Sequence, residues 1–146
     1  MIAFRVHGIP KGQPRPRAFA FKGKARVFDP GTAEGWKSQI AEAARPHLPE
    51  SPLVGPLMLR LDFQFPRPKS HFTKHGGLRA DAPSRFTSKP DADNCAKAVM
   101  DALTTLRLWG DDAQVSLLIV GKFYESSYAP GAGVAVSIDQ LAAPAA

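Results

Sequence analysis

The chain has 146 residues, 44% of them hydrophobic, which suits one domain of ordinary size and excludes a disordered tail. A single cysteine, Cys95, excludes an intrachain disulfide and a thiolate metal cluster, and no apolar run approaches the roughly 20 residues of a membrane span. The formal net charge of +6 favours a polyanionic partner. Since Arg5 and His7 interrupt any early apolar run, we expect no signal peptide and a soluble cytoplasmic protein.

The first half of the chain predicts a strand, a hairpin and a helix. Ile2 to Val6 is apolar enough for a short strand, and the proline-rich stretch GIPKGQPRPR that follows should be extended. Phe19 and Phe21 alternate on one side of KGK and Val27 and Phe28 lie on the other, which indicates a hairpin with Gly23 in the turn. Thr32 is a suitable N-cap for a helix from Ala33 to Arg45, which Pro46 ends.

The second half predicts one more helix between apolar strands. Leu57 to Phe65 alternates as a half-buried strand does, and a long basic loop follows it. We predict a helix from about Asp93 to Leu106 and strands at Gln114 to Tyr124 and Gly133 to Ile138, with a frayed tail from about residue 140. The side of the second helix expected to be buried carries Ala96, Val99, Met100, Leu103 and Leu106. The elements together predict an α/β (α+β) fold in which a small mixed β-sheet packs against two main helices, in a single domain over residues 1–146.

Basic residues are concentrated in two loop-like segments, which flank the acidic residues discussed below. Met1 to Phe28 contains no acidic residue, and Arg67 to Lys89 contains Asp81 alone. Such an excess either keeps a surface soluble or binds nucleic acid. The candidate DNA contacts are Lys11, Arg15, Arg17, Lys22, Lys24, Arg26, Lys69, Lys74, Arg85 and Lys89.

Carboxylates lie near both ends of the second predicted helix. Asp91 and Asp93 stand at its start, Lys97 follows one turn later, and Asp112 begins the next strand. Carboxylate oxygens are the ligands that Mg²⁺ and Mn²⁺ prefer, and a lysine can stabilise charge on a phosphate. The pattern therefore predicts a site for phosphodiester cleavage in which Asp91, Asp93 and Asp112 converge on one or two metal ions beside Lys97.

Each of these residues also has a structural explanation. Asp91 or Asp93 can cap the helix, and Asp93 with Lys97 can form an ordinary i,i+4 ion pair. Asp111 and Asp112 suit a turn after Gly110. On these terms the chain would be a DNA-binding module without catalysis. A D-x-D phosphotransferase or glycosyltransferase is a third class, but Ser88-Lys89-Pro90 rather than an apolar strand precedes Asp91.

The stretch KPDADNCAKAVMDAL, followed by WGDDAQV, resembles the signature of the RusA family of Holliday junction resolvases, which is common in bacteria and prophages. The opening GIPKGQPRPR is similar to the start of that family's sequences. The resemblance implies a RusA-like fold and a homodimer that binds four-way junction DNA. It also implies symmetric cleavage with Mg²⁺ or Mn²⁺, and catalytic roles for Asp91, Asp93, Lys97 and Asp112. The pattern also contains Asp101 and Asp111, to which we assign no role at this stage.

Overall fold

The computed structural model describes the backbone of residues 1–14, 17–21, 24–28 and 33–142, and the side chains of residues 1–14 and 33–142. Its strands and helices, in chain order, are β1 (Ile2–His7), β2 (Arg17–Phe21), β3 (Lys24–Phe28), α1 (Glu34–Ala44), β4 (Leu57–Phe65), α2 (Ala92–Thr105), β5 (Val115–Tyr124) and β6 (Gly133–Gln140). The predicted α+β architecture is confirmed. Thr32, the aromatic side chains of the hairpin and residues 143–146 lie outside what the structure describes.

A mixed four-stranded sheet in the order β1-β6-β4-β5 forms the centre of the fold. Strand β6 pairs antiparallel with both β1 and β4, whereas β4 and β5 are parallel. Parallel neighbours need a long crossover connection, which here spans residues 66–114 and includes α2. The strands β2 and β3 form a separate antiparallel hairpin. The β4–β5 connection therefore carries every residue of the acidic site.

The core lies between the sheet and the two helices. The predicted alternation of β4 is confirmed, since Leu57, Leu59, Leu61, Phe63 and Phe65 are all buried. Trp36 and Ile40 of α1 are buried as well, and α1 packs against both α2 and β1. This packing fixes α2, and with it the start of the helix where Asp91 and Asp93 stand.

The predicted boundaries of α2 were correct to within one residue, but its buried face is rotated from the predicted one. Met100 and Leu106 are only half-buried. The buried residues of α2 are Cys95, Ala96, Ala98, Val99, Ala102 and Leu103. The small alanine side chains allow α2 to pack closely against the rest of the core. The sequence prediction placed the large apolar residues on the buried face and therefore missed these alanines.

Strand β5 lies at the edge of the sheet. The backbone of residues 84–86 covers its C-terminal part, where Phe86 N donates to Lys122 O at 3.1 Å and Tyr124 N donates to Ser84 O at 2.9 Å. Among the described residues, no strand pairs with the outer edge of β5 before Gly121. The central residues Leu117, Leu118 and Ile119 are 45%, 42% and 41% exposed. An uncovered apolar edge strand is a template for pairing with another chain.

Candidate metal and DNA-binding site

Two carboxylates lie within the first turn of α2. Asp91 is the N-cap residue, and its main-chain oxygen accepts from Cys95 N at 3.0 Å. Its side chain accepts no hydrogen bond from the first turn and is 51% exposed. The Asp93 side chain accepts from Asn94 N at 2.9 Å. The structural interpretation of Asp91 as a side-chain cap is therefore wrong, and the extended backbone there (ψ 153°) lets its carboxylate project beyond the helix.

Lys89 binds the Asp91 carboxylate through both oxygens. Its Nζ lies 2.8 Å from Oδ1 and 2.9 Å from Oδ2. The ammonium thus occupies a place in front of the carboxylate where a divalent cation could bind in its stead. Because the pair is largely exposed, its energy is small, and either a cation or a phosphate can displace one partner.

The start of α2 also contacts the proline-rich segment after β1. Gln13 N donates to Asn94 O at 2.9 Å. A Cβ atom built on Gly12 would lie 3.0 Å from Pro90 Cβ and 3.1 Å from Asn94 Cβ, so glycine allows this close approach. Lys11 is thereby placed on the wall of a cavity of about 450 Å³, whose lining includes Phe65, Phe86, Lys89 and Pro90. The N-terminal basic segment, as far as it is described, therefore reaches the acidic site.

Lys97 follows Asp93 by one turn and is 58% exposed. The ion pair that the structure gives it is with Asp101, whose Oδ1 lies 3.2 Å from Lys97 Nζ, and not with Asp93 as one interpretation of the sequence had it. The other oxygen of Asp101 lies 3.8 Å from Lys37 Nζ on α1. Asp101 thus links the two helices and orients Lys97, which gives it a structural role.

Asp112 lies near the opposite end of α2. The loop after the helix is fixed there, since Trp109 Nε1 donates to Thr104 Oγ1 at 2.7 Å. A helix of 14 residues is roughly 21 Å long, and β5 runs back from the loop after α2 to Lys122, which is bonded to Pro90 O, so Asp91 and Asp112 lie towards opposite ends of the helix. The neighbouring Asp111 forms a reciprocal capping box with Gln114, and its function is structural.

The predicted convergence of three carboxylates is therefore not found within one chain. No group of three or more His, Cys, Asp or Glu side chains in the described ranges is arranged to hold a metal ion. The structure places Asp91 and Asp93 at the start of α2, with Lys97 one turn after Asp93, and leaves Asp112 apart. The sequence argument failed here because β5 runs back along α2, which places the start of β5 at the end of the helix rather than at its beginning.

Comparison with known proteins agrees with the signature in the sequence. The family model described as endodeoxyribonuclease RusA matches residues 7–138. The chain belongs to the RusA family. A curated relative, the uncharacterized protein YqaN of Bacillus subtilis (strain 168), is 38% identical over 125 residues, which cover 84% of this chain and 87% of that protein. Membership of the RusA family indicates an endodeoxyribonuclease that acts on Holliday junctions.

Cys95 lies beneath the acidic pair of this RusA domain. Burial raises the pKa of its thiol to about 11, with Lys122 lowering it and Asp91 and Asp93 raising it. The thiol is therefore protonated near neutral pH, which suits a packing residue and not a nucleophile.

Of the predicted DNA contacts, five fall on described side chains, and all five are exposed: Lys11, Lys69, Lys74, Arg85 and Lys89. The side chains of Arg15, Arg17, Lys22, Lys24 and Arg26 lie outside the described part.

Two basic residues that the sequence did not single out hold the loop of residues 66–89 in place. Arg67 donates to Glu125 O and Pro83 O, and Lys122 donates to Ser88 O and Pro90 O. The only sequence signal for Lys122 was a lysine within an apolar strand.

No helix among the described residues is both long and apolar enough to cross a membrane.

Proposed function

We propose that this protein resolves four-way DNA junctions by paired, symmetric, metal-dependent cleavage of the phosphodiester backbone. The observation that carries the proposal is the arrangement at the start of α2. There Asp91 and Asp93 stand one turn before Lys97, with exposed Lys11 and Lys89 beside them. An acidic centre bordered by basic side chains can hold a cation and a phosphate together. Such a nuclease would act in the cytoplasm of a bacterium, on cellular or prophage DNA.

The donor chemistry of the acidic pair fits Mg²⁺ or Mn²⁺. Asp91 and Asp93 would supply two hard oxygen ligands from one chain. When bound, the ion would lower the pKa of a coordinated water and offset charge on the scissile phosphate. Lys97 would stabilise the charge that develops on the phosphate or on the leaving oxygen, and Asp101 would orient Lys97.

A homodimer would supply the missing third carboxylate. If two copies of β5 paired antiparallel about a twofold axis at Leu118, the uncovered apolar edge would be buried in both chains. Asp112 and Tyr124 are equally far from Leu118 along the chain, so this register directs Asp112 of the partner subunit towards the C-terminal end of β5, along the outer side of residues 84–86. Tyr124 is two residues from Lys122, which donates to Pro90 O beside Asp91. The partner's Asp112 would thus reach the acidic pair, and each dimer would hold two equivalent sites for the two nicks.

The function is tested by incubating the protein with labelled four-way junction, duplex and single-stranded DNA, with Mg²⁺ and with excess chelator. We expect paired nicks in the junction alone, and only when the metal is present. Asp91→Asn serves as the catalytically impaired control. Junction binding without cleavage in any divalent metal would instead favour the alternative, a non-catalytic DNA-binding protein whose acidic cluster is structural.

A further inference from the structure

Lys122 joins the end of β5 to the start of α2. It is half-buried, and its Nζ donates to Ser88 O at 2.8 Å and to Pro90 O at 2.7 Å. The ammonium also lies 5.1 Å from the centre of the Phe86 ring. A partly desolvated ammonium is stabilised by charge-assisted hydrogen bonds and by an aromatic face, and here it has both.

The two carbonyls that Lys122 holds belong to the residues immediately before the acidic pair. Pro90 is bonded to Asp91, and Ser88 precedes Lys89, the ion-pair partner of Asp91. Residues 84–86 are fixed along β5 by backbone hydrogen bonds, and the helix begins at Ala92. Among the described contacts of the segment from Thr87 to Pro90, those that link it to the sheet come from Lys122. Lys122 therefore contributes to the position of the backbone next to Asp91.

Charge gives Lys122 a second effect on the same residues. Its ammonium is bonded to Pro90 O, and Pro90 is the residue before Asp91, so the positive charge lies close to the acidic pair. Two carboxylates at the start of one helix repel each other when no cation is bound. The positive charge of Lys122, which is bonded to main-chain carbonyls, reduces this repulsion without occupying the Asp91 carboxylate, which Lys89 binds.

We propose that Lys122 is a positioning residue of the metal site. Its ammonium holds the carbonyls of Ser88 and Pro90 so that the Asp91 carboxylate is preorganised for a divalent cation. The inference rests on the proposed function, because it takes Asp91 as a metal ligand. Lys122 itself touches neither the metal nor the DNA.

The test compares Lys122→Met and Lys122→Arg with the wild type and with Arg60→Met. Arg60 is a matched control, since it is a basic residue of the neighbouring strand β4 that pairs with Asp62. Three quantities are measured: Mn²⁺ binding in the absence of DNA, amide hydrogen exchange of residues 89–95 in the absence of metal, and the Mn²⁺ dependence of junction cleavage. Outer partners of metal ligands typically contribute about 10- to 100-fold in metal affinity, so we expect a loss of that size in Lys122→Met.

Lys122→Met should also exchange amide hydrogens faster at residues 89–95, and excess Mn²⁺ should restore most of its cleavage rate. Lys122→Arg, which keeps the charge and the donors, should lie between Lys122→Met and the wild type. Arg60→Met should bind Mn²⁺ as the wild type does. If Lys122→Met bound Mn²⁺ with unchanged affinity, the proposal would be overturned, whatever its melting temperature.

These measurements separate the two proposals. A wild type that binds Mn²⁺ but cuts no DNA would refute the proposed function, while a weaker Mn²⁺ affinity in Lys122→Met would still support the positioning role. If Lys122→Met does not fold, Lys122→Arg decides the matter against the wild type: weaker Mn²⁺ binding with faster exchange at residues 89–95 would support the positioning role, and unchanged Mn²⁺ affinity would overturn it. If both variants fold, they are compared with each other. A Lys122→Arg protein identical to Lys122→Met in all three would overturn the role of charge and hydrogen bonding.

Discussion

The Nζ atom of Lys89 binds both carboxylate oxygens of Asp91, at 2.8 and 2.9 Å, and both side chains are exposed. A metal ion that binds Asp91 must displace this ammonium, and a phosphate can accept it. We therefore predict that Lys89→Gln tightens Mn²⁺ binding by the DNA-free protein and weakens binding of the junction. An exposed ion pair is worth up to about 1 kcal/mol, so the gain in Mn²⁺ affinity should not exceed about fivefold.

Calorimetric titration with Mn²⁺ and a binding assay with labelled junction in chelator test this prediction. Arg79→Gln is the matched control, since Arg79 forms an exposed pair with Asp81 in the same loop. A Lys89→Gln protein with weaker Mn²⁺ affinity would show that Lys89 supports the metal site rather than competing for it.

Asp91→Asn and Asp93→Asn should each abolish cleavage while leaving junction binding largely intact. As ligands, they should contribute more to the rate than the roughly 10- to 100-fold typical of outer partners. Asp91 accepts no hydrogen bond from the first turn of α2, so asparagine there should not destabilise the helix. Single-turnover cleavage and thermal melting measure both effects. Normal cleavage by either variant would remove that residue from the site.

Lys97→Ala should lower the cleavage rate by about 100-fold or more, which is typical for the loss of a group that stabilises transition-state charge. Its only described ion pair, with Asp101, is exposed, so the free energy of unfolding should change by less than about 1 kcal/mol. Arg45→Ala breaks a comparable exposed pair with Glu42 on α1 and should cut at the normal rate. If Lys97→Ala cuts normally but melts much earlier than Arg45→Ala, Lys97 is structural.

Junction binding should weaken steeply as salt concentration rises, because each phosphate contact releases counterions. Substituting Lys11 or Lys74 with alanine should reduce the slope of log affinity against log salt by about one unit, with little dependence on DNA sequence. Arg60→Ala serves as the control outside the basic segments. Fluorescence anisotropy with a labelled junction in chelator, at several salt concentrations, gives these slopes. Affinity that does not change with salt would refute binding by the basic segments.

The sequence predicted those parts of the molecule that depend on local spacing. The alternation of β4 follows from the strand period, and the start of α2 next to Asp91 and Asp93 follows from the helix period; both elements were predicted correctly. The buried face of α2 was partly wrong because it consists mainly of small residues, which the search for large apolar side chains overlooked.

Long-range relationships could not be predicted in this way. The distance between Asp91 and Asp112 depends on the direction in which β5 returns along α2, and a one-dimensional motif does not contain that direction. Lys122 bonds to a carbonyl 32 residues earlier, and no local pattern marks such a contact. The exposure of Leu117 and Leu118 depends on which strand takes the edge of the sheet, which the apolar run alone does not determine.

The separation of Asp91 and Asp112 within one chain gives the sharpest prediction about assembly. If Asp112 of the partner subunit completes each site, a heterodimer of Asp91→Asn and Asp112→Asn chains has one site with both substitutions and one site with neither. Mixing the two inactive proteins, with subunit exchange, should therefore restore nicking of one strand of the junction. Leu118→Asp should give a monomer in sedimentation, because it places a charge at the centre of the proposed β5–β5 pairing.

Sites built within a single chain would give the opposite result, because each subunit of the mixed dimer would then lack one ligand and the mixture would stay inactive. Mixing Asp91→Asn with Asp93→Asn is the matched control. Both residues come from the same chain, and each site of that heterodimer lacks a ligand in either arrangement. Restored nicking in the first mixture but not in the second would place Asp112 across the interface. Activity in neither mixture, with exchange verified, would refute the shared site, and a Leu118→Asp protein that remains a dimer would refute pairing through β5.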